Sequence, residues 1–126
     1  MKRERDDNLI FEYMLKIPKL KNDLITGEDS YNYTDRQYNN IMQDLQNQID
    51  RAKLAIKDPK ILDNKLNYLN FEKGELKIER IIHMKKKAKN SGDDVFKYDP
   101  KLLSIVHSQN RLLSLMNNSS PFNSKL

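Results

Sequence analysis

The chain has 126 residues, 37% hydrophobic and 33% charged, with no Cys, no Trp, 3 Gly and 4 Pro. That length fits one modest domain, and the missing cysteine excludes a disulfide framework, a thiol nucleophile and a cysteine-ligated zinc. A formal charge of +5, from 23 basic and 18 acidic residues, falls well short of the dense positive field of a dedicated nucleic-acid binder.

So polar a composition reads as long helices with much exposed surface, of the kind that complete their burial against a partner. The opening Met1-Lys2-Arg3-Glu4-Arg5-Asp6-Asp7 lacks the apolar core of a signal peptide. No apolar run has the length needed to span a bilayer. The expectation is a soluble, intracellular protein, cytoplasmic or, in a eukaryote, nuclear.

Four helices account for most residues. The first covers about 7–25, with Asp6 and Asp7 at the positive end of its dipole and Leu9, Ile10, Tyr13, Met14 and Ile17 as its apolar face. Pro18 removes a backbone donor, which predicts a kink or break near Leu15 before Leu20, Leu24 and Ile25 continue. Gly27 ends the element, and a polar connector with Tyr31 and Tyr33 follows.

The second helix covers 35–57. Thr34-Asp35-Arg36-Gln37 fits a capping box, with a hydroxyl at the N-cap and an amide three residues on. Tyr38, Met42, Leu45, Ile49, Ala52 and Ile56 recur at steps of four and three, a narrow heptad seam of the coiled-coil kind. Asn, Gln, Asp, Arg and Lys flank it. A seam of two to three heptads suits packing along a neighbouring helix better than a free-standing coiled coil.

The third helix covers 59–90 and opens at Asp58-Pro59, an N-cap followed by a proline that loses nothing at the first helical position. The turn before it is short, which favours an antiparallel hairpin with the second helix. Leu62, Leu66, Leu69 and Leu76 mark one stripe; Phe71, Ile78, Ile81 and Ile82 mark another. The phase changes near Gly74, where the helix bends or changes partners. Asn90-Ser91-Gly92 ends it.

The fourth helix covers 100–116, behind a second Asp-Pro start at Asp99-Pro100. Leu102, Leu103, Ile105, Val106, Leu112, Leu113, Leu115 and Met116 lie almost all round it, so it is expected to be the most buried element or the one that meets a partner. Residues 117–126 are rich in Asn and Ser and read as a disordered tail.

Catalytic chemistry finds little material. His83 and His107 have no Ser, Asp or Glu at a triad spacing, and three scattered glycines make no phosphate loop. No catalytic residue, cofactor or small-molecule substrate is expected. Glu72, Glu75, Glu79 and His83 share one helix face, yet carboxylate-bridged metal bundles need Glu-x-x-His pairs from two helices, and none occurs. That face reads as solvated, with no metal site. Asp93-Asp94 lacks the alternating acids of a calcium loop.

Arg80, His83, Lys85, Lys86, Lys87 and Lys89 crowd the end of the third helix. The helix dipole favours cations there by about 0.3 kcal/mol each when exposed, which explains two or three of them. The rest repel one another unless an anion compensates.

The expected fold is all-α: a single helical domain over 1–116, an antiparallel hairpin with flanking helices in an open or elongated bundle. The expected function is a non-catalytic interaction protein, a subunit or adaptor of a larger assembly or a self-associating chain. Leu102, Val106, Leu113 and Met116 are its candidate partner anchors. The alternative is an accessory protein that contacts a DNA or RNA backbone through Arg80, Lys85, Lys86, Lys87 and Lys89.

Overall fold

The computed structural model describes residues 2–119. Among them the chain is all-helical, without strands: α1 (Lys2–Lys16), α2 (Pro18–Thr26), α3 (Asp35–Ala55), α4 (Pro59–Asn90) and α5 (Asp99–Ser119), with one 3-10 turn at Phe96–Tyr98. No helix of the described residues is long and apolar enough to cross a membrane. The helix expected over 7–25 is two. Ile17 takes an extended conformation (φ −107°, ψ 115°) because a residue before proline is pushed out of the α region, and Pro18 starts a new helix. α5 continues three residues beyond the expected end, and the remainder of the expected tail, 120–126, lies outside the described residues.

Local chemistry accounts for the other ends. At Gly27 (φ +74°) the chain turns left-handed, and its N–H bonds the Asp23 carbonyl at 2.9 Å. Thr34 and Gln37 form a reciprocal capping box, with bonds of 3.1 and 2.9 Å. Along the polar flanks of α3, Gln43 bonds Asn47, Gln46 bonds Asp50 and Gln48 bonds Asp44, each one turn apart at 3.0 Å. Asp58 Oδ1 accepts the Lys60 N–H at 2.9 Å and so caps α4. At its other end Asp93 N–H reaches the Ala88 carbonyl (2.8 Å) and Gly92 N–H the Lys89 carbonyl (3.2 Å), a Schellman motif with Gly92 at φ +76°.

The chain divides into two compact units. Unit 1 comprises Met1–Asn32 and Lys77–His107. Its core holds Ile10, Tyr13, Leu20, Tyr31, Ile78, Ile81, Ala88, Leu102 and Val106. Unit 2 comprises Tyr33–Leu76 and Ser108–Leu126, the latter described as far as Ser119. Its core holds Ile49, Ala52, Leu69, Leu76 and the amide of Gln109.

At Gly74 the side chain of Gln109 comes close to the backbone of α4. A Cβ there would lie 2.0 Å from Gln109 Oε1, so the hydrogen of glycine is what lets α5 lay this side chain on α4. Gln109, 1% exposed, donates from Nε2 to the Phe71 carbonyl (2.8 Å) and to Glu75 Oε2 (3.3 Å). A buried amide without such partners would be costly; here its bonds fix where the helices meet.

The fourth predicted helix, α5, is not buried all round. Among its described residues one stripe is fully covered: Leu102, Val106 and Gln109, spaced four and three apart.

Candidate functional site

α4 brings six basic or titratable groups to one helix end, and the structure gives them different tasks. His83 Nδ1 meets Asp29 Oδ2 at 2.5 Å, and its ring lies against Tyr31 with centroids 4.8 Å apart. Lys86 Nζ donates to the Glu28 carbonyl at 2.9 Å. Both hold the connector after α2 onto α4. The connector is also shaped by Asp23, whose Oδ2 accepts the Ser30 N–H (3.1 Å) and hydroxyl (2.6 Å). Lys85 Nζ pairs with Asp99 Oδ1 at 2.6 Å, where the Asp99 side chain is 14% exposed, and so ties α4 to the start of α5. One turn and a half earlier, Glu79 pairs with Lys19 of α2 at 2.6 Å.

Lys87 and Lys89 are exposed, whereas Arg80 is half-buried. The phosphate-contacting set expected from the sequence is therefore spread over several settings. Lys85 is consumed by a carboxylate, Lys86 is bound to a neutral carbonyl, and Lys87 and Lys89 face solvent. Neutralisation of Lys85 relieves part of the like-charge crowding that the sequence alone leaves unexplained.

Beside this helix end lies an apolar cleft of about 480 Å³ within unit 1. α1 contributes Ile10 and Met14, and α4 contributes Ile82 with Lys85, Lys86 and Lys89. Val95 and Phe96 of the following loop and Leu102 of α5 complete the lining. The stripe Ile82–Lys85/Lys86–Lys89 follows helical spacing, so the wall formed by α4 turns from apolar to cationic along its length. Phe96 stands 46% exposed at this cleft.

Two of the predicted partner anchors lie in the core of unit 1. Leu102 and Val106 are each 1% exposed, covered by this chain itself, because they sit on the stripe of α5 that packs into unit 1. Leu113 and Met116 are half-buried, and Leu115 beside them is 42% exposed. Periodicity alone did not separate the covered stripe from the rest of an almost wholly apolar helix.

The acidic face of α4 dissolves into separate contacts. Tyr68 has its hydroxyl on Glu72, Glu75 accepts from Gln109, Glu79 meets Lys19 and His83 meets Asp29. The bond to Glu72, reinforced by its negative charge and by slight burial, pushes the Tyr68 phenol above its ordinary pKa. Among the described residues no three His, Cys, Asp or Glu side chains converge to hold a metal ion. Asp29, Glu28 and Lys19 were not singled out by the sequence, and no local motif marks them. Asp99 was legible only as a helix start.

No protein-family model, curated protein or solved structure matches this chain.

Proposed function

We propose that the chain is a non-catalytic helical interaction protein, a subunit or adaptor of a larger assembly. α3 and α4 would form its antiparallel hairpin, a reading supported by the 2.8 Å bond from Lys73 Nζ to Gln46 Oε1. The observation that carries the function is a set of large apolar side chains left exposed at helical spacing. On α1 these are Phe11 (49%) and Leu15 (41%), one turn apart; on α4 they are Ile61 (57%) and Tyr68 (48%), two turns apart. Exposed pairs on one helix face are what a partner helix docks against, and Leu113 and Met116 of α5 remain candidate anchors as well.

The second reading, contact with a nucleic-acid backbone, rests on the exposed Lys87 and Lys89. Purification of the tagged protein from its host, with and without nuclease, separates the two. Stoichiometric partners that survive nuclease and are lost from Phe11→Asp/Leu15→Asp support the assembly role. Partners lost with nuclease and from Lys87→Ala/Lys89→Ala favour the backbone reading.

A further inference from the structure

We propose that the cleft of unit 1 binds a single-chain anionic amphiphile, a free long-chain carboxylate, with its hydrocarbon among the apolar lining and its head group at Lys86 and Lys89. This goes beyond the assembly role and does not depend on it. The volume, about 480 Å³, lies in the range of small-ligand sites, which are mostly apolar with a few placed polar groups. Ile10, Met14, Ile82, Val95, Phe96 and Leu102 supply the apolar part.

Charge selects the occupant. Of the three cations at the cleft, Lys85 is already paired with Asp99. Lys86 gives one of its three donors to the Glu28 carbonyl, which carries no net charge, and keeps its own positive charge and two donors. Lys89, one helical turn on, is exposed. Two uncompensated ammonium groups one turn apart, at the edge of an apolar cleft, fit one carboxylate attached to a hydrocarbon chain. A neutral tail would fill the cleft and leave both cations unpaired, and a cationic head would be repelled.

The test is a titration of the full chain with dodecanoate below its micellar concentration. Isothermal calorimetry would read affinity, and amide shifts in the NMR spectrum would read location. Expected are saturable binding at one site and shifts confined to the cleft. Affinity should fall at least tenfold for dodecanol and further for dodecyltrimethylammonium, which carries the same tail. Lys86→Gln/Lys89→Gln should weaken dodecanoate about tenfold, and Met14→Trp, which fills the cleft, should abolish it while circular dichroism stays unchanged. Equal affinity for all three amphiphiles overturns the proposal, as does absence of saturable binding. A cleft closed by a second copy, seen as self-association that dodecanoate leaves unaltered, overturns it too. The amphiphile series on the unaltered chain decides the matter even if a variant fails to fold.

Discussion

Unit 2 holds a close steric contact, Gly74 against the buried amide of Gln109, whereas in unit 1 charged side chains leave α4 for the connector and for α5. Both units are made of the same amphipathic helical material. In unit 2 the contact at Gly74 combines steric fit with two hydrogen bonds from one amide. In unit 1 the charged contacts are His83–Asp29, Lys86–Glu28, Lys85–Asp99 and Lys19–Glu79, laid around an apolar core. The lesson concerns the lysine-rich helix end. A run of cations that reads as one surface in sequence is, in the folded chain, partly a set of struts.

The contrast predicts that the charged ties of unit 1 matter less to stability than its core. Leu102→Ala should show the largest effect, a loss of about 2–5 kcal/mol in urea unfolding, because the side chain is wholly enclosed. A loss below about 1 kcal/mol would mean the polar ties dominate unit 1 after all.

In unit 2 the steric contact itself is testable. Gly74→Ala gains helix propensity of about 0.5–1 kcal/mol but displaces Gln109 from its two bonds, for a net loss of about 1–2 kcal/mol. Adding Gln109→Ala should recover part of that loss, and the double-mutant cycle measures the coupling directly. Additive effects would show that the two positions do not meet.

A smaller change is expected from Asp29→Asn. Asp29 and His83 are each 28% exposed at the side chain, so the pair contributes at most about 1 kcal/mol. Its signature would be faster protease cleavage at 27–32 with little change in the unfolding midpoint. An effect as large as that of Leu102→Ala would erase the distinction between core and ties.

The smallest effect belongs to Tyr68 in unit 2. Its phenol titrates above the ordinary range because it donates to Glu72, which favours the neutral form. The stability this provides is present below the ordinary phenol pKa and is lost as pH rises through the elevated value. Glu72→Gln should bring the Tyr68 titration down, read as a difference in absorbance at alkaline pH against Tyr68→Phe, with the unfolding midpoint at neutral pH scarcely moved.

Much of the local structure was legible from the chain. Thr34 and Gln37, Asp58-Pro59, Gly27 and Asn90-Ser91-Gly92 act through bonds to neighbours within a few residues, so their residue types and spacing identify the ends of α2, α3 and α4. The break at Pro18 belongs with them, though it falls at Ile17 and leaves two helices. The change of phase near Gly74 was visible too, but not its cause, since Gln109 lies 35 positions away and polar residues on helices are ordinarily exposed.

The site was less legible. Sequence placed six basic or titratable groups at one helix end, yet gave no means of telling Lys85, with its carboxylate, from Lys89, which faces solvent. It also offered Leu102 and Val106 as anchors, because a helix apolar on nearly all sides does not declare which stripe its own chain will cover. The helix ends at Gly27, Thr34, Asp58 and Gly92 were determined by the sequence itself, through hydrogen bonds and dihedral preferences that operate within one or two turns. Which cations are paired, which apolar stripe is buried and where a cleft forms were decided only by tertiary structure, because those contacts join residues remote in the chain and depend on the packing of whole helices.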